Sequence, residues 1–161
     1  MKFKILLKAA SWIPAIIMAF VIAGFSGQDS TQSQGLSDRV AAFIVDAADG
    51  VGIIDADGET RLELIGKLQY PIRKGAHMTE YALFTLTVMF ALFVCGVRGG
   101  MLYVLAVLVT IVYAASDEIH QLFVPGRSGQ VKDVLIDTFG GILAAAAVKA
   151  FKSLFKRTGE C

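Results

Sequence analysis

Charge is scarce in this sequence. Only 18% of its 161 residues are Asp, Glu, Lys or Arg, below the ~25% usual for soluble domains. The 15 basic and 14 acidic side chains leave a formal net charge of +1. That balance gives no overall pull toward nucleic acid. Proline is scarce too, at three residues, and the 16 glycines follow no period, which excludes disorder and collagen-like repetition. Of the two cysteines, Cys95 sits in an apolar run and Cys161 is the last residue, so a disulfide scaffold is excluded. What is abundant is apolar: 55% of the residues are hydrophobic and the mean hydropathy is +0.63. The length suits one domain over residues 1–161.

Four apolar runs reach the ~20 residues that a bilayer-spanning helix needs. They cover about 5–25, 72–97, 101–123 and 131–151. The expected fold is therefore an all-α integral membrane bundle of four transmembrane helices. The first run begins with Lys2, Lys4 and Lys8, as a cleaved signal peptide would. Its apolar core from Ala9 to Phe25 is 17 residues, however, against the ~7–15 of a signal sequence, and Trp12 suits an interfacial anchor. It reads as a retained span. Gly99 and Gly100 make a tight connection between the second and third runs, and Gly126 and Gly129 flank a turn before the fourth.

The stretch 26–70 is polar and acidic. Val40, Phe43, Ile44 and Ala47 at helical spacing, with Ser37 as N-cap, predict a short amphipathic helix. Leu62, Ile65 and Leu68 suggest a second, leading to Pro71 as the start of the second span. Asp55-Ala-Asp57-Gly-Glu59 lacks the further acids of a calcium loop and reads as a turn.

With the N-terminus placed in the cytoplasm, the inner side holds Lys2, Lys4, Lys8, Arg98, Lys149, Lys152, Lys156 and Arg157 against Glu160 alone. The outer side holds seven bases and thirteen acids. This positive-inside pattern predicts cytoplasmic N- and C-termini. It also puts most of the chemistry toward the extracytoplasmic face.

Polar residues gather where three spans meet that face. The second span opens with Arg73, Lys74, His77, Glu80 and Tyr81; the third ends with Ser116, Asp117, Glu118, His120 and Gln121. Arg127 lies in the turn, and the fourth opens with Asp133 and Asp137, followed by Gly140, Gly141 and Ala144. Spacings of three and four put these groups on shared helix faces, and the small residues permit close helix approach. Singly, each has an ordinary explanation: snorkelling for Lys132 or Arg73, helix-start placement for Asp133 and Asp137. Together they are costly, at roughly 2.5–3.5 kcal/mol for each ionisable group at a helix centre and less near the interface. One outward-opening pocket is the expectation.

Three chemistries fit such a pocket. A divalent metal is a candidate cofactor, held by ligands drawn from His77, Glu80, Asp117, His120 and Asp137. Arg73, Lys74 and Arg127 can bind an anionic head group, with His77 or His120 as a base oriented by an acid. Buried carboxylates and histidines also serve ion-coupled transporters, which with four helices implies an oligomer.

Three stretches in order, Arg73-Lys-Gly-Ala-His77-Met-Thr-Glu80-Tyr81, Ser116-Asp117-Glu118-Ile-His120-Gln121-Leu-Phe-Val-Pro125-Gly-Arg127 and Asp133-Val-Leu-Ile-Asp137-Thr-Phe-Gly140, resemble the VanZ-like family. Phe25-Ser26-Gly-Gln28 resembles its opening motif. The resemblance implies a small bacterial inner-membrane protein of the cell envelope, in a family named for a link to resistance to the glycopeptide antibiotic teicoplanin. It implies membrane lipids as partners, and a lipid-linked cell-wall precursor or a glycopeptide as ligand. The motif positions carried over are Lys74, His77, Glu80, Tyr81, Ser116, Asp117, Glu118, His120, Gln121, Arg127, Asp133 and Asp137. Among them His77, Glu80, Asp117 and His120 are candidate catalytic groups, and the rest are candidate ligand contacts. The family carries no established reaction, so an envelope binder and an intramembrane hydrolase or transferase of phosphorylated lipids both stay open.

Overall fold

The computed structural model describes residues 2–158, with side-chain surroundings given through residue 155. Glu160 and Cys161, and the side chains of Lys156 and Arg157, lie outside the described residues. Six helices and no strands make up the described chain: α1 Lys2–Ala10, α2 Ile13–Ser26, α3 Ser30–Gly50, α4 Gly58–Cys95, α5 Gly100–Gln121 and α6 Val131–Thr158. Four segments are long and apolar enough to span a membrane: Lys2–Ser26 (α1 and α2 together), α4, α5 and Val131–Phe155 of α6. The all-helical four-span bundle is as the apolar runs predict.

The first span is broken at Ser11 and Trp12, because Pro14 enters the first turn of α2 without an N–H to donate. Ser11 Oγ donates to Lys8 O at 2.7 Å across the break. Trp12 packs partly against the bundle core. The second and third spans meet at a glycine turn, as expected. Gly96 takes the left-handed conformation at φ 104° and ends α4, and Arg98 donates to the carbonyls of Phe93 before it and Val97 after it.

The region between the first two spans differs from the sequence reading. It is a helical hairpin, not a loop with two short helices. Asp29, not Ser37, caps α3, accepting from Gln32 N at 2.8 Å. Ser37 lies inside the helix and donates to Ser33 O. Asp57 caps α4 through Thr60 N at 2.9 Å, so α4 starts thirteen or so residues before Pro71 and runs through it. A proline in a helix interior removes one backbone hydrogen bond; here the packing of α3 alongside keeps the helix going. Arg61 forks onto Asp46 at 2.7 and 2.9 Å, and Gln69 Nε2 donates to Asp38. These two ties fix α3 and α4 antiparallel.

At 1.5 Å per residue, α4 is about 57 Å long, nearly twice the ~30 Å hydrocarbon core. Its polar first half, with Glu59, Arg61, Glu63 and Lys67, therefore projects beyond the bilayer with α3 against it. The bundle core is built from Ile22, Tyr81, Phe84, Val88, Met89, Leu102, Ala106, Ala114 and Ala145. Large apolar side chains such as Ile17, Phe20, Phe90, Val104, Leu108 and Val112 point outward, as lipid-facing residues must. α6 reaches α4 and α5 through its glycines. A Cβ on Gly140 would collide with the Met78 carbonyl, and one on Gly141 would stand 2.5 Å from Thr85 Oγ1. Thr85 and Thr110 share a 2.7 Å hydrogen bond at that crossing.

Candidate functional site

The polar residues collect at the end of the bundle where the α3–α4 hairpin emerges. Their innermost layer is a hydrogen-bonded knot between α2 and α5. Ser26 Oγ donates to Asp117 Oδ2 at 2.8 Å, and Gln121 Nε2 donates to Ser26 Oγ at 2.8 Å. The same amide reaches Asp117 Oδ2 at 3.3 Å and Glu118 Oε1 at 3.2 Å. Glu118 Oε2 accepts from Gln130 N at 2.8 Å, which pins the start of α6 to the end of α5. Asp117, Glu118 and Gln121 are all buried.

A second layer has polar atoms without partners. Asp137 is 2% exposed and Tyr81 0%. Asp137 Oδ2, the Tyr81 hydroxyl, Glu80 Oε2 and His77 Nδ1 are the buried side-chain polar atoms with no hydrogen bond among the described residues. Orphaned buried polar groups are rare and costly, and here all four stand in one cluster. Tyr81 is within electrostatic reach of both Asp117 and Asp137. His77 Nδ1 and Glu80 Oε2 lie 3.8 Å apart, one helical turn from each other on α4.

The mouth of the cluster is cationic. Lys74 is spoken for: its ammonium sits 2.5 Å from Asp133. Arg127 is a strut, donating from Nε to Gln28 O at 3.0 Å and from Nη2 to Phe25 O at 3.2 Å. It thereby ties the turn before α6 to the end of α2 and the residues just after it. Burial, followed by the neighbouring Arg73, pulls the Arg127 guanidinium below its ordinary range, while Asp117, Glu118 and Asp133 counter this. Arg73 is half-buried and makes no ion pair or side-chain hydrogen bond among the described residues. It lines three adjoining clefts at this end. One, shared with Lys74, His77, Gln121, Arg127 and Asp133, is polar. Another has an apolar wall of Phe25, Leu36, Val40, Ile72 and Ala76 and ends on Arg73, His77, Glu80 and Arg127.

The structure thus brings together Lys74, His77, Glu80, Tyr81, Asp117, Glu118, Gln121, Arg127, Asp133 and Asp137. Two expected members do not join them. Ser116 is exposed, donates to Tyr113 O at 2.7 Å and lines an apolar groove with Phe84, Leu108 and Val112. His120 is exposed and lies beside Gly27, its Cε1 3.9 Å from where a Cβ there would stand. Both follow from helix geometry: Asp117, Glu118 and Gln121 face the bundle, and the neighbouring Ser116, Ile119 and His120 turn away. Among the described residues no three His, Cys, Asp or Glu side chains stand where they could share a metal ion, so the donor geometry does not assemble the metal set drawn from the sequence. Ser26 and Gln130 were missed as site residues. Ser26 belongs to the short motif after the first span, which is the only signal that could have found it.

Residues 11–152 match the description VanZ/LLP1. The chain belongs to the VanZ/LLP1 family. No curated protein and no solved structure matches it. The family match covers both elements that make the knot, α2 and α5, the whole α3–α4 hairpin and most of α6. It makes the protein a multi-pass membrane protein of VanZ type.

Proposed function

We propose that this VanZ-type protein binds an anionic amphiphile of the cell envelope in the cleft between α2, α3 and α4. Both termini are cytoplasmic in this reading, and the hairpin and cleft face outward from the inner membrane. The observation that carries it is Arg73. It is half-buried, lacks a carboxylate partner among the described residues, and sits where an apolar wall meets a polar floor. A guanidinium is a fixed cation whose fork matches phosphate and carboxylate geometry. A lipid, a lipid-linked cell-wall precursor or a lipid-bearing glycopeptide all carry the required pairing of anion and hydrocarbon. A role in glycopeptide resistance is the family-level extension of this reading.

The test is the lipid that co-purifies with the protein. Native mass spectrometry of the wild type should show retained anionic amphiphile, and Arg73→Glu should strip it while leaving the thermal midpoint unchanged. Equal retention by Arg73→Glu would remove the proposal. A second reading is favoured by the 3.8 Å spacing of His77 and Glu80. A histidine beside a carboxylate can act as a general base, here on a phosphorylated lipid held by Arg73. Turnover of lipid phosphates by the wild type, lost in His77→Ala with binding retained, would select that reading over simple binding.

A further inference from the structure

The cleft that ends on Arg73 holds an acid among its bases. Glu80 lines it beside Arg73, His77 and Arg127. The adjoining polar cleft shares Arg73, His77 and Arg127 with the first, adds Lys74 and Asp133, and encloses about 170 Å³. A single ordered water needs only ~10–15 Å³, so this cleft has room for a polar group of several atoms. Across the two clefts Arg73, Lys74 and Arg127 face Glu80 and Asp133, three bases against two acids, which leaves one positive charge in surplus. That surplus matches a head group with a single net negative charge.

The two acids differ in what they hold. Asp133 already has the Lys74 ammonium. Glu80 has no such partner: its ionic contact is His77 Nδ1 at 3.8 Å, beyond hydrogen-bond distance. Glu80 Oε2 and His77 Nδ1 are two of the four orphaned buried atoms, and of those four side chains they are the two that line the apolar-walled cleft. A carboxylate repels phosphate, and what it takes is an O–H or N–H donor. The donor is either a hydroxyl or an ammonium of the ligand. The charge count separates them. A zwitterionic head group brings no net charge and leaves the surplus cation unmatched. Hydroxyls bring no charge of their own and let the phosphate match it.

We infer that the ligand is a polyol phosphodiester: its phosphate sits at Arg73, and its free hydroxyls turn inward to Glu80 and His77 and occupy the polar cleft. This rests on the head-group reading above and names the class of head group. Glu80 stands two helical turns along α4 from Arg73, about 10 Å by the rise of the helix, with His77 between them. Both groups line one cleft of about 130 Å³, so a single head group addresses both. Arg73 lies at the outer start of the apolar run 72–97, the level of the lipid head groups. The acyl chains therefore stay in the bilayer while the head group enters the bundle. Hydroxyl bonds to an ionised carboxylate are among the strong ones, so one or two of them suffice for selectivity.

The experiment measures the affinity of the full chain, in phosphatidylcholine nanodiscs, for three lipids with the same acyl chains: phosphatidylglycerol, phosphatidylpropanol and phosphatidylethanolamine. The first two carry the same singly charged phosphodiester and differ only in the free hydroxyls. The third carries an ammonium instead. Phosphatidylglycerol should be preferred to each of the others by about tenfold, equivalent to ~1.4 kcal/mol. Glu80→Leu should bring phosphatidylglycerol down to the level of phosphatidylpropanol. It should not lower the thermal midpoint, because Glu80 Oε2 has no hydrogen bond to lose. Equal affinity for phosphatidylglycerol and phosphatidylpropanol, with both still dependent on Arg73, would overturn the hydroxyl assignment and leave the head-group reading standing. Phosphatidylethanolamine bound as tightly as phosphatidylglycerol would overturn it too, by assigning Glu80 to an ammonium. So would a preference for phosphatidylglycerol that survives Glu80→Leu. Affinities for phosphatidylglycerol and phosphatidylpropanol that Arg73→Ala leaves unchanged would sink the head-group reading itself.

Discussion

At the scale of single residues, Arg73 and Arg127 show how two similar cations take different work. Arg127 is tied to the carbonyls of Gln28 and Phe25, so its removal loses the link between the turn before α6 and the end of the first span. Arg127→Ala should lower stability by about 1.5–3 kcal/mol, the range for a hydrogen bond to a charged group. A downward shift of the thermal midpoint in detergent checks it. Arg73→Ala should leave that midpoint in place. Ser26 holds both Asp117 and Gln121; Ser26→Ala removes both bonds, leaves those two groups only their longer contacts, and should cost about 1–3 kcal/mol in the same measurement. Gly140→Ala should cost about 1–3 kcal/mol or prevent folding, because the added Cβ meets the Met78 backbone. Most of these site residues were legible in the sequence, since spacings of three and four put them on shared faces. Ser116 and His120 were misplaced because the same segment of α5 that sends Asp117, Glu118 and Gln121 inward must send its neighbours out. Membership in a polar cluster in the sequence does not fix which way a side chain turns.

At the scale of elements, the four spans could be read from the sequence because hydrocarbon demands long apolar runs, and that demand is one-dimensional. The hairpin could not, because its helices are fixed by partners far apart in sequence. Arg61 with Asp46 and Gln69 with Asp38 make α3 and α4 support each other, and they carry α4 through Pro71. Ser37 had the right residue type for a cap, but Asp29 eight residues earlier took the role. The hydrogen bond from Arg61 to Asp46 holds that carboxyl below its ordinary value, and the bonds from Thr60 do the same for Asp57. A carboxylate with a depressed folded-state pKa stabilises above its unfolded value, and the benefit is lost as pH falls through the folded value. Hydrogen-exchange protection in α3 and the first turns of α4, measured against the intrinsic rate at each pH, should therefore be full at neutral pH and fall once the pH drops below about 4. Asp46→Asn should show the faster α3 exchange already at neutral pH.

At the scale of the whole molecule, the chain is a small membrane bundle with its chemistry crowded at one end. Four spans return the chain to the side where it started, so the hairpin and the polar cleft share the face opposite both termini. In the positive-inside orientation that face is extracytoplasmic. A cysteine placed at Asp55, in the exposed connection between α3 and α4, should then react with a membrane-impermeant maleimide added to intact cells, and one placed at Lys4 should not. The sparse charge of the sequence is concentrated where a ligand would meet the bundle, and the half-buried Arg73 there has no partner among the described residues. The most direct measurement is the affinity of the purified protein, in neutral-lipid nanodiscs, for a phosphatidate compared with a phosphatidylcholine of the same chains. The account predicts a preference for phosphatidate of about tenfold or more, equivalent to ~1.4 kcal/mol, that disappears in Arg73→Ala. Equal affinity for the two lipids, or a preference that survives Arg73→Ala, would contradict it.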